Sequence, residues 1–251
     1  MCTVSWYFDS SGYELLFNRD ELRTRGPGLP PEIWTQDGVR YLAPTDSDRG
    51  GTWIGVNEYG VTHCLVNFYQ AYVDSPNPDR RRYSRSRGDL VREVQSCRTV
   101  AETEAYVDRL DVEVYAPFWL LAFEAGSAPR GFRWDGVRLE VTHDIEAPVT
   151  TSSYRPDDVV RWRRTRFPRL ESDRRDRAAA VARLWRYHRR RNHLRGAYGV
   201  CMSRSDARTV SFTRVSVTTT AAGPPAVSLG YLPDPPCRSR DLPAQVEIST
   251  R

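Results

Sequence analysis

The sequence predicts an α+β sandwich, in which antiparallel sheets pack face to face and pairs of helices cover them. Strand and helix signals come in blocks along the chain, in the order strands, helices, strands, helices, strands. The 251 residues are enough for one large domain with a substantial core, and no obvious linker divides them. We therefore expect a single domain over residues 1–251, with an irregular tail beyond about residue 233.

The first block reads as two hairpins. The opening residues alternate in strand fashion, break at the tight-turn composition of residues 9–12 and return as a strand over residues 13–18. Residues 22–31 are rich in glycine and proline and predict an irregular loop. A second hairpin is expected over residues 50–69, turning at residues 57–60.

Helices and further strands follow. Residues 89–110 favour helix in two pieces split near Cys97, Arg98 and Thr99, and a second helical block runs from about Pro156 to Arg191. Between and after these blocks the strand signals are "YAPFWLLAFEAG", "RGFRWDG", "VRLEVTHD", "GAYGVCMS", "ARTVSFTRVSV" and "AVSLGYL".

Composition excludes several classes of protein. No apolar run approaches the length of a membrane span, and the start lacks a secretory signal pattern, so we expect a cytoplasmic protein without a membrane span. The five cysteines are scattered and lack C-x-x-C spacing, which argues against a disulfide framework and against a zinc site. No P-loop, G-x-G-x-x-G, H-E-x-x-H or G-x-S-x-G motif occurs. We expect no metal and no organic cofactor.

One basic segment raises the question of nucleic acid. Residues 161–195 contain 14 arginines against 3 acidic residues, a local charge of +11. Ala178, Val181, Ala182 and Trp185 recur at helical spacing, however, which predicts an amphipathic helix with its arginines on the solvated face. We therefore expect no nucleic-acid partner, and a weaker role of the segment in attracting anionic substrates stays open.

The first hairpin carries the most specific chemical signal. If its turn is centred between Ser10 and Ser11, Cys2 lies opposite Arg19 or Asp20 on the returning strand. Directly opposed residues have Cβ atoms about 4.5–5.5 Å apart. The charged segment Asn18 to Glu21 is thereby brought back to the beginning of the chain.

That arrangement suits a nucleophile at the chain start. Methionine is usually removed before a residue as small as cysteine, which would leave Cys2 with a thiol and a free α-amine. A nearby arginine such as Arg19 lowers the pKa of a thiol, and an α-amine has a pKa near the value that a general base needs. Asp20 can hold the amine by a hydrogen bond. An isolated cysteine would instead be a small buried apolar residue.

The second hairpin offers a partner. Its register places Asn67 beside Gly50 and Gly51, where the side-chain amide can act as an oxyanion donor. An asparagine at this place suits a structural role on a turn equally well, and the two interpretations stay open.

Together these motifs resemble a known family. "MCT" at the start, "FNRDE" at the end of the first hairpin and "GGTWIGVNEYG" are similar to the NRDE family, also called the transport-and-Golgi-organization protein 2 family. "GVNEYGVTHCLVNF" also resembles the asparagine-bearing hairpin of choloylglycine hydrolases, which cleave linear amides with an N-terminal cysteine. The resemblance covers residues 1–70.

The resemblance implies a four-layer αββα sandwich of N-terminal-nucleophile type and a cysteine amidohydrolase or acyltransferase that acts on a non-peptide amide. It supports Cys2 as nucleophile, Asp20 as its partner, Asn67 in the oxyanion hole and Arg19 beside them. A second asparagine expected near "VTTSSY" is replaced here by Thr151, Ser152 or Ser153.

The remaining expectations concern the substrate and an alternative function. Asn18, Glu21, Thr151 and Ser152 are expected to contact a small amide or acyl substrate, which is anionic if the basic segment attracts it. The rival hypothesis, also implied by the family, is a protein that binds or carries haem or a lipid without catalysis.

Overall fold

The computed structural model describes residues 1–72, 83–170, 176–194, 196–221 and 223–248. Four helices cover the outer faces of two antiparallel sheets in this described part of the chain: α1 (Arg87–Glu93), α2 (Val100–Val107), α3 (Pro156–Arg164) and α4 (Arg177–His188). The strands are, in chain order, β1 (Cys2–Asp9), β2 (Gly12–Leu22), β3 (Gly28–Gln36), β4 (Val39–Asp46), β5 (Ile54–Asn57), β6 (Thr62–Asn67), β7 (Phe118–Phe123), β8 (Arg130–Trp134), β9 (Leu139–His143), β10 (Val149–Thr150), β11 (Ala207–Thr220), β12 (Gly223–Leu232) and β13 (Gln245–Glu247).

The strands form one sheet of six and one of seven. The first has the order β10-β1-β2-β11-β12-β13, and the second runs from β3 to β9 in chain order. The first sheet therefore places the chain start in its interior, with β1 between β2 and the short β10. This position fixes Cys2 between two neighbouring strands.

A shared apolar core holds the two sheets together. Alternate residues of β1 and β2, such as Val4 and Phe17, point toward Val66 and Leu121 of the other sheet, and all four are fully buried. The alternation is the period of two that a strand with one buried face requires. The sequence pattern of the first hairpin therefore encodes the inner layer of the sandwich.

Helices complete the outer layers. Apolar residues of α1 and α2 pack against β6, β7 and β8, and those of α4 pack against β1, β2 and β11. The side chains of Ser86, Thr99 and Asp176 accept backbone N–H bonds at the first turns of α1, α2 and α4. The predicted αββα sandwich is thus confirmed, as is the break between the first two helices. None of the described helices is long and apolar enough to cross a membrane.

Three local predictions were wrong. The glycine- and proline-rich stretch contains the start of β3 at Gly28, because an edge strand tolerates proline and its pairing with β4 shifts register between Leu29 and Glu32. "GAYGVCMS" forms a helical turn at Gly196–Tyr198, where Ala197 and Tyr198 pack against Val159 of α3. The tail beyond residue 233 contains β13, which pairs with β12.

A disulfide and the burial of several residues on α3 and α4 also differ from expectation. Cys201 and Cys237 form a disulfide that their spacing did not predict. The face of α4 that is buried consists of Ala180, Val181, Leu184, Trp185, Tyr187 and His188, whereas Ala178 and Ala182 are exposed. Arg163 is fully buried rather than solvated, because its guanidinium reaches between α3 and the first sheet.

Candidate active site

The register of the first hairpin brings the predicted residues together. Cys2 pairs with Arg19, one of the two partners predicted from the turn. Pairing extends one residue further, since the Met1 amino group donates to Asp20 O at 3.2 Å and Asp20 N–H donates to Met1 O at 2.9 Å. The backbone of Cys2 is fixed on its other side by Thr151, whose N–H donates to Cys2 O at 3.0 Å.

A cavity of about 380 Å³ opens beside Cys2. Arg19, Asp20, Glu21 and Asn67 also line it, so five of the residues singled out from the sequence meet at one place. The lining holds five arginines against three carboxylates: Arg19, Arg25, Arg49, Arg85 and Arg87 against Asp20, Glu21 and Asp46. The cavity is therefore polar with an excess of positive charge.

The Cys2 side chain is buried at the inner end of this cavity, with 7% of the residue exposed. Burial raises the pKa of its thiol, and the nearby Met1 ammonium acts in the opposite direction. At neutral pH the group is therefore a thiol that needs a base to become a nucleophile. With Met1 attached, the nitrogen of Cys2 is an amide and cannot serve as that base.

The carboxyl group of Asp20 contacts residues on the face of the first sheet that packs against the helices. Its Oδ1 accepts a hydrogen bond from Thr209 Oγ1 at 2.6 Å, and its Oδ2 lies 3.7 Å from the Arg163 guanidinium. Burial raises the pKa of this carboxyl, while Arg163 and the Met1 ammonium favour its charged form. Arg163 was not predicted, and a sequence signal for it was lacking because it resembles the exposed arginines around it.

Arg19 is fixed by an aromatic ring and a carboxylate. Its guanidinium lies over the ring of Trp53, 4.1 Å from the centroid, and Nη2 donates to Asp46 Oδ2 at 2.6 Å. Arg25 pairs with the same carboxylate. Nη1 of Arg19 is buried and lacks a hydrogen-bond partner among the described residues. Since buried donors are rarely left unpaired, this atom is suited to bind an oxygen of a ligand in the cavity.

Asn67 lies at the end of β6 and its Nδ2 donates to the hydroxyl of Tyr69 at 3.0 Å. The same hydroxyl accepts a bond of 3.4 Å from the Met1 amino group. Tyr69 thus links the predicted oxyanion donor to the chain start, although the sequence analysis missed it. A tyrosine two residues after the asparagine is the only signal that could have indicated it.

Thr151 and Ser152 contact the first two residues of the chain, and they do not line the cavity. Cys2 N–H donates to Thr151 Oγ1 at 3.4 Å, and Ser152 Oγ is 3.2 Å from the sulfur of Met1. Thr151 is therefore placed to contact the amine of Cys2, and Ser152 to contact whatever occupies the position of Met1.

Asn18 is not brought to the site. Its side chain points to the opposite face of the first sheet, where Nδ2 donates to the carbonyls of His188 and Val200, both at 2.9 Å. Alternation along the strand is the reason, because Arg19 faces the cavity and its neighbour must face the helices. Asn18 anchors α4 to the sheet, and the prediction that it contacts substrate is not supported.

Asn18 also fixes the state of His188, which is fully buried. Since both hydrogens of its amide are donated to carbonyls, Asn18 Oδ1 accepts from His188 Nδ1–H at 2.9 Å. Nε2 is then the acceptor for the Ser5 hydroxyl at 2.8 Å. Burial, followed by the charge of Arg163, lowers the pKa of His188 to about 3.

A pH dependence of stability follows from His188. The unfolded imidazole takes up a proton near pH 6.5 whereas the folded one does so only near pH 3, so the free energy of unfolding should fall as the pH drops through this window. The loss approaches about 1.4 kcal/mol per pH unit for each such group. Urea titrations between these limits measure it. His188→Gln should reduce the slope by the share of one group, since burial also lowers the pKa of His63 to about 3 and that histidine remains. His193→Gln, which changes an exposed histidine, should leave the slope unchanged. Equal slopes for the two variants would refute the assignment.

Solved structures share the arrangement of the two sheets. Penicillin V acylase from Agrobacterium tumefaciens has a TM-score of 0.53 at 14% identity, and the match covers 92% of this chain and 91% of that chain. An N-acylethanolamine-hydrolyzing acid amidase ortholog from Caenorhabditis elegans has a TM-score of 0.53 at 11% identity, covering 85% and 92%. A mutant of the conjugated bile acid hydrolase from Clostridium perfringens has a TM-score of 0.51 at 11% identity, and the match covers 100% of this chain and 97% of that chain. The fold is therefore that of the N-terminal-nucleophile hydrolases.

Curated relatives match the first half of the chain. Transport and Golgi organization protein 2 homologs from Homo sapiens and Bos taurus are 27% and 28% identical over 139 and 142 residues, or 51% and 52% of this chain. The chain spans about half the length of these relatives, with 47% and 48% of their residues matched. The family model for Transport and Golgi organisation 2 matches residues 1–139. The chain belongs to the Transport and Golgi organisation 2 family, as its motifs predicted.

Proposed function

We propose that this protein is a cytoplasmic cysteine amidase or acyltransferase of N-terminal-nucleophile type, acting on a linear non-peptide amide. The observation that carries the proposal is the convergence of Cys2, Arg19, Asp20 and Asn67 on one cavity at the chain start. A thiol, an amine held by a carboxylate and an amide donor are the groups that acyl transfer requires.

Removal of Met1 is the activating step. It converts the amide nitrogen of Cys2 into an amine, which takes the proton of the Cys2 thiol and supplies the missing base. Thr151 Oγ1 already lies 3.4 Å from this nitrogen. The buried carboxyl of Asp20, whose charge Arg163 supports, lies across the first hairpin and stabilises the protonated amine.

The sulfur then attacks the carbonyl carbon of the substrate. A C–S bond forms, the carbonyl oxygen becomes an oxyanion, and the amide group of Asn67 turns from the Tyr69 hydroxyl to donate to it. When the C–N bond breaks, the Cys2 ammonium gives its proton to the leaving amine. Water or a second amine then attacks the thioester, which releases the acyl group and restores the thiol.

The charge of the cavity indicates the kind of substrate. Five arginines against three carboxylates favour a molecule with an acidic group, and Nη1 of Arg19 is a buried donor without a partner among the described residues. A buried guanidinium N–H of this kind forms a charge-assisted hydrogen bond when a carboxylate or a similar anion binds to it. We therefore propose that the substrate is an anionic amide.

The structural likenesses support the same class of reaction. The similar proteins are named as an acylase, an amidase and a bile acid hydrolase. These likenesses concern the fold, and the kind of substrate follows from the cavity of this chain.

Hydrolysis of chromogenic anilides tests the proposal. The chain that begins at Cys2 should release aniline from acyl anilides bearing a carboxylate faster than from matched neutral ones. Asn67→Ala should lower the rate by about 10²–10³, because one oxyanion donor is lost. Gln36→Ala, which removes an amide on the edge strand β3, should leave it unchanged. If haem or a lipid bound tightly while no amide was cleaved, the rival hypothesis of a carrier would replace this one.

A further inference from the structure

The backbone of Met1 pairs with Asp20 as in a β-strand, and its amino group also contacts a side chain. Its amino group donates to Asp20 O at 3.2 Å, and its carbonyl oxygen accepts from Asp20 N–H at 2.9 Å. The amino group also donates to the Tyr69 hydroxyl at 3.4 Å. Each polar backbone atom of Met1 therefore has a buried partner.

The side chain of Met1 fills a separate apolar space. It packs with Met202 and Ala207, and only 5% of Met1 is exposed. Its sulfur lies 3.2 Å from Ser152 Oγ and 3.7 Å from Arg204 Nη1, which close the far end of the space. The unbranched thioether therefore occupies a narrow pit whose walls are apolar and whose end is polar.

Cleavage of Met1 would leave this space without its occupant. We define the Met1 chamber by the groups that contact Met1, namely Asp20, Tyr69, Ser152, Met202, Arg204 and Ala207. The carbonyl of Asp20 would then lose the Met1 amino group and its N–H would lose the Met1 carbonyl, which is costly in a buried position unless a ligand or water replaces them. Water can replace the polar contacts, but it cannot satisfy the apolar walls.

We infer that the Met1 chamber, once emptied, is a subsite for an α-aminoacyl group with an unbranched apolar side chain. The inference rests on the proposed function and names the acyl half of its substrate. An α-ammonium would donate to Asp20 O and the Tyr69 hydroxyl, and a carbonyl oxygen would accept from Asp20 N–H. The side chain would enter the pit beside Met202.

The chamber and the cavity then hold the two halves of one substrate. A substrate carbonyl carbon is not bonded to the Cys2 nitrogen, so it lies displaced from the position of the Met1 carbonyl, and it still faces both the amine and the thiol of Cys2. The thiol gives its proton to the amine, the C–S bond forms and the scissile C–N bond breaks. The leaving amine takes the proton, carrying its acidic group into the arginine-lined cavity, and water releases the amino acid from the thioester.

Binding of free amino acids tests the chamber without relying on turnover. The chain is prepared from a fusion whose protease cleaves directly before residue 2, with Cys2→Ser to prevent acyl transfer, and titrated calorimetrically. L-Methionine and L-norleucine should bind, and L-alanine should bind at least about tenfold more weakly because it leaves the pit empty. D-Methionine and N-acetyl-L-methionine should not bind, since the first misdirects the side chain and the second lacks the ammonium.

A variant that fills the pit, compared with a control variant at an exposed position, tests where the amino acid binds. Met202→Trp should abolish the binding of L-methionine, and Val137→Trp, at a position that is 90% exposed, should leave it unchanged. Ala207→Leu gives a second, smaller obstruction if the tryptophan variant does not fold. Absent binding of L-methionine, or equal binding of L-alanine or D-methionine, would overturn the inference. Methionine binding without amide cleavage by the cysteine form would instead overturn the proposed function and leave the chamber in place.

Discussion

Replacing Cys2 by serine is expected to abolish amide turnover, with a loss of about 10⁴-fold or more in kcat, because it removes the nucleophile. A serine hydroxyl in the same place has a far higher pKa than a thiol, so the amine of residue 2 cannot activate it as well. The position is buried, and the backbone hydrogen bond from Thr151 to the carbonyl of residue 2 is unaffected by the change. Steady-state hydrolysis of a carboxylate-bearing acyl anilide measures the effect.

Cys64 provides the control for this experiment. It is a second free, buried cysteine in the same core, on β6 of the other sheet, and it does not line the cavity. Cys64→Ala removes one sulfur from the core and should lower stability without removing activity. Turnover by Cys2→Ser within tenfold of the parent would show that another group performs the attack. We expect the inactive Cys2→Ser protein to retain ligand binding.

Replacing Arg163 by methionine is expected to lower the free energy of unfolding by about 3–5 kcal/mol, because it removes the buried guanidinium that contributes most to stabilising the carboxylate of Asp20. Both side chains are fully buried and lie 3.7 Å apart. Arg163 also donates to Thr3 Oγ1 at 2.9 Å and to Ala197 O at 3.1 Å, which would lose their donor. Urea denaturation at neutral pH measures the loss.

Two comparisons separate this effect from a general loss of arginine. Arg164→Met changes the exposed neighbour on α3 and should cost less than about 0.5 kcal/mol. Asp20→Asn combined with Arg163→Met removes both charges and should recover part of the loss. The loss should also be smaller at acidic pH, since burial already raises the pKa of Asp20 and protonation removes its charge. Equal losses for the variants at positions 163 and 164 would contradict the account.

Local sequence was sufficient for the first hairpin and its charged end. A tight turn between two alternating strands fixes the register within one residue, so the sequence places Cys2 opposite Arg19 or Asp20, and the structure selects Arg19. The motifs of the two hairpins together then indicated the family and its fold. Alternation along β2, applied one residue further, would also have placed Asn18 on the helix face, because Arg19 faces the cavity.

Contacts between distant segments account for what was missed. Arg163 meets Asp20 from a helix more than a hundred residues away, and its immediate neighbours are exposed arginines of the same type. Thr151 reaches Cys2 only because β10 pairs with β1. The pit of Met1 combines Met202 with Ala207 of β11. No period or motif links such residues in the sequence, so only the packed sheets reveal them.

The central claim is that Cys2 becomes the first residue and supplies both nucleophile and base. The intact mass of the native, folded protein tests it most directly. We predict a mass lower than that of the full sequence by one methionine residue, with the new α-amine unmodified. A folded, soluble protein that retained Met1 would contradict the claim, because the nitrogen of Cys2 would remain an amide and the autonomous amidase mechanism would lack its base.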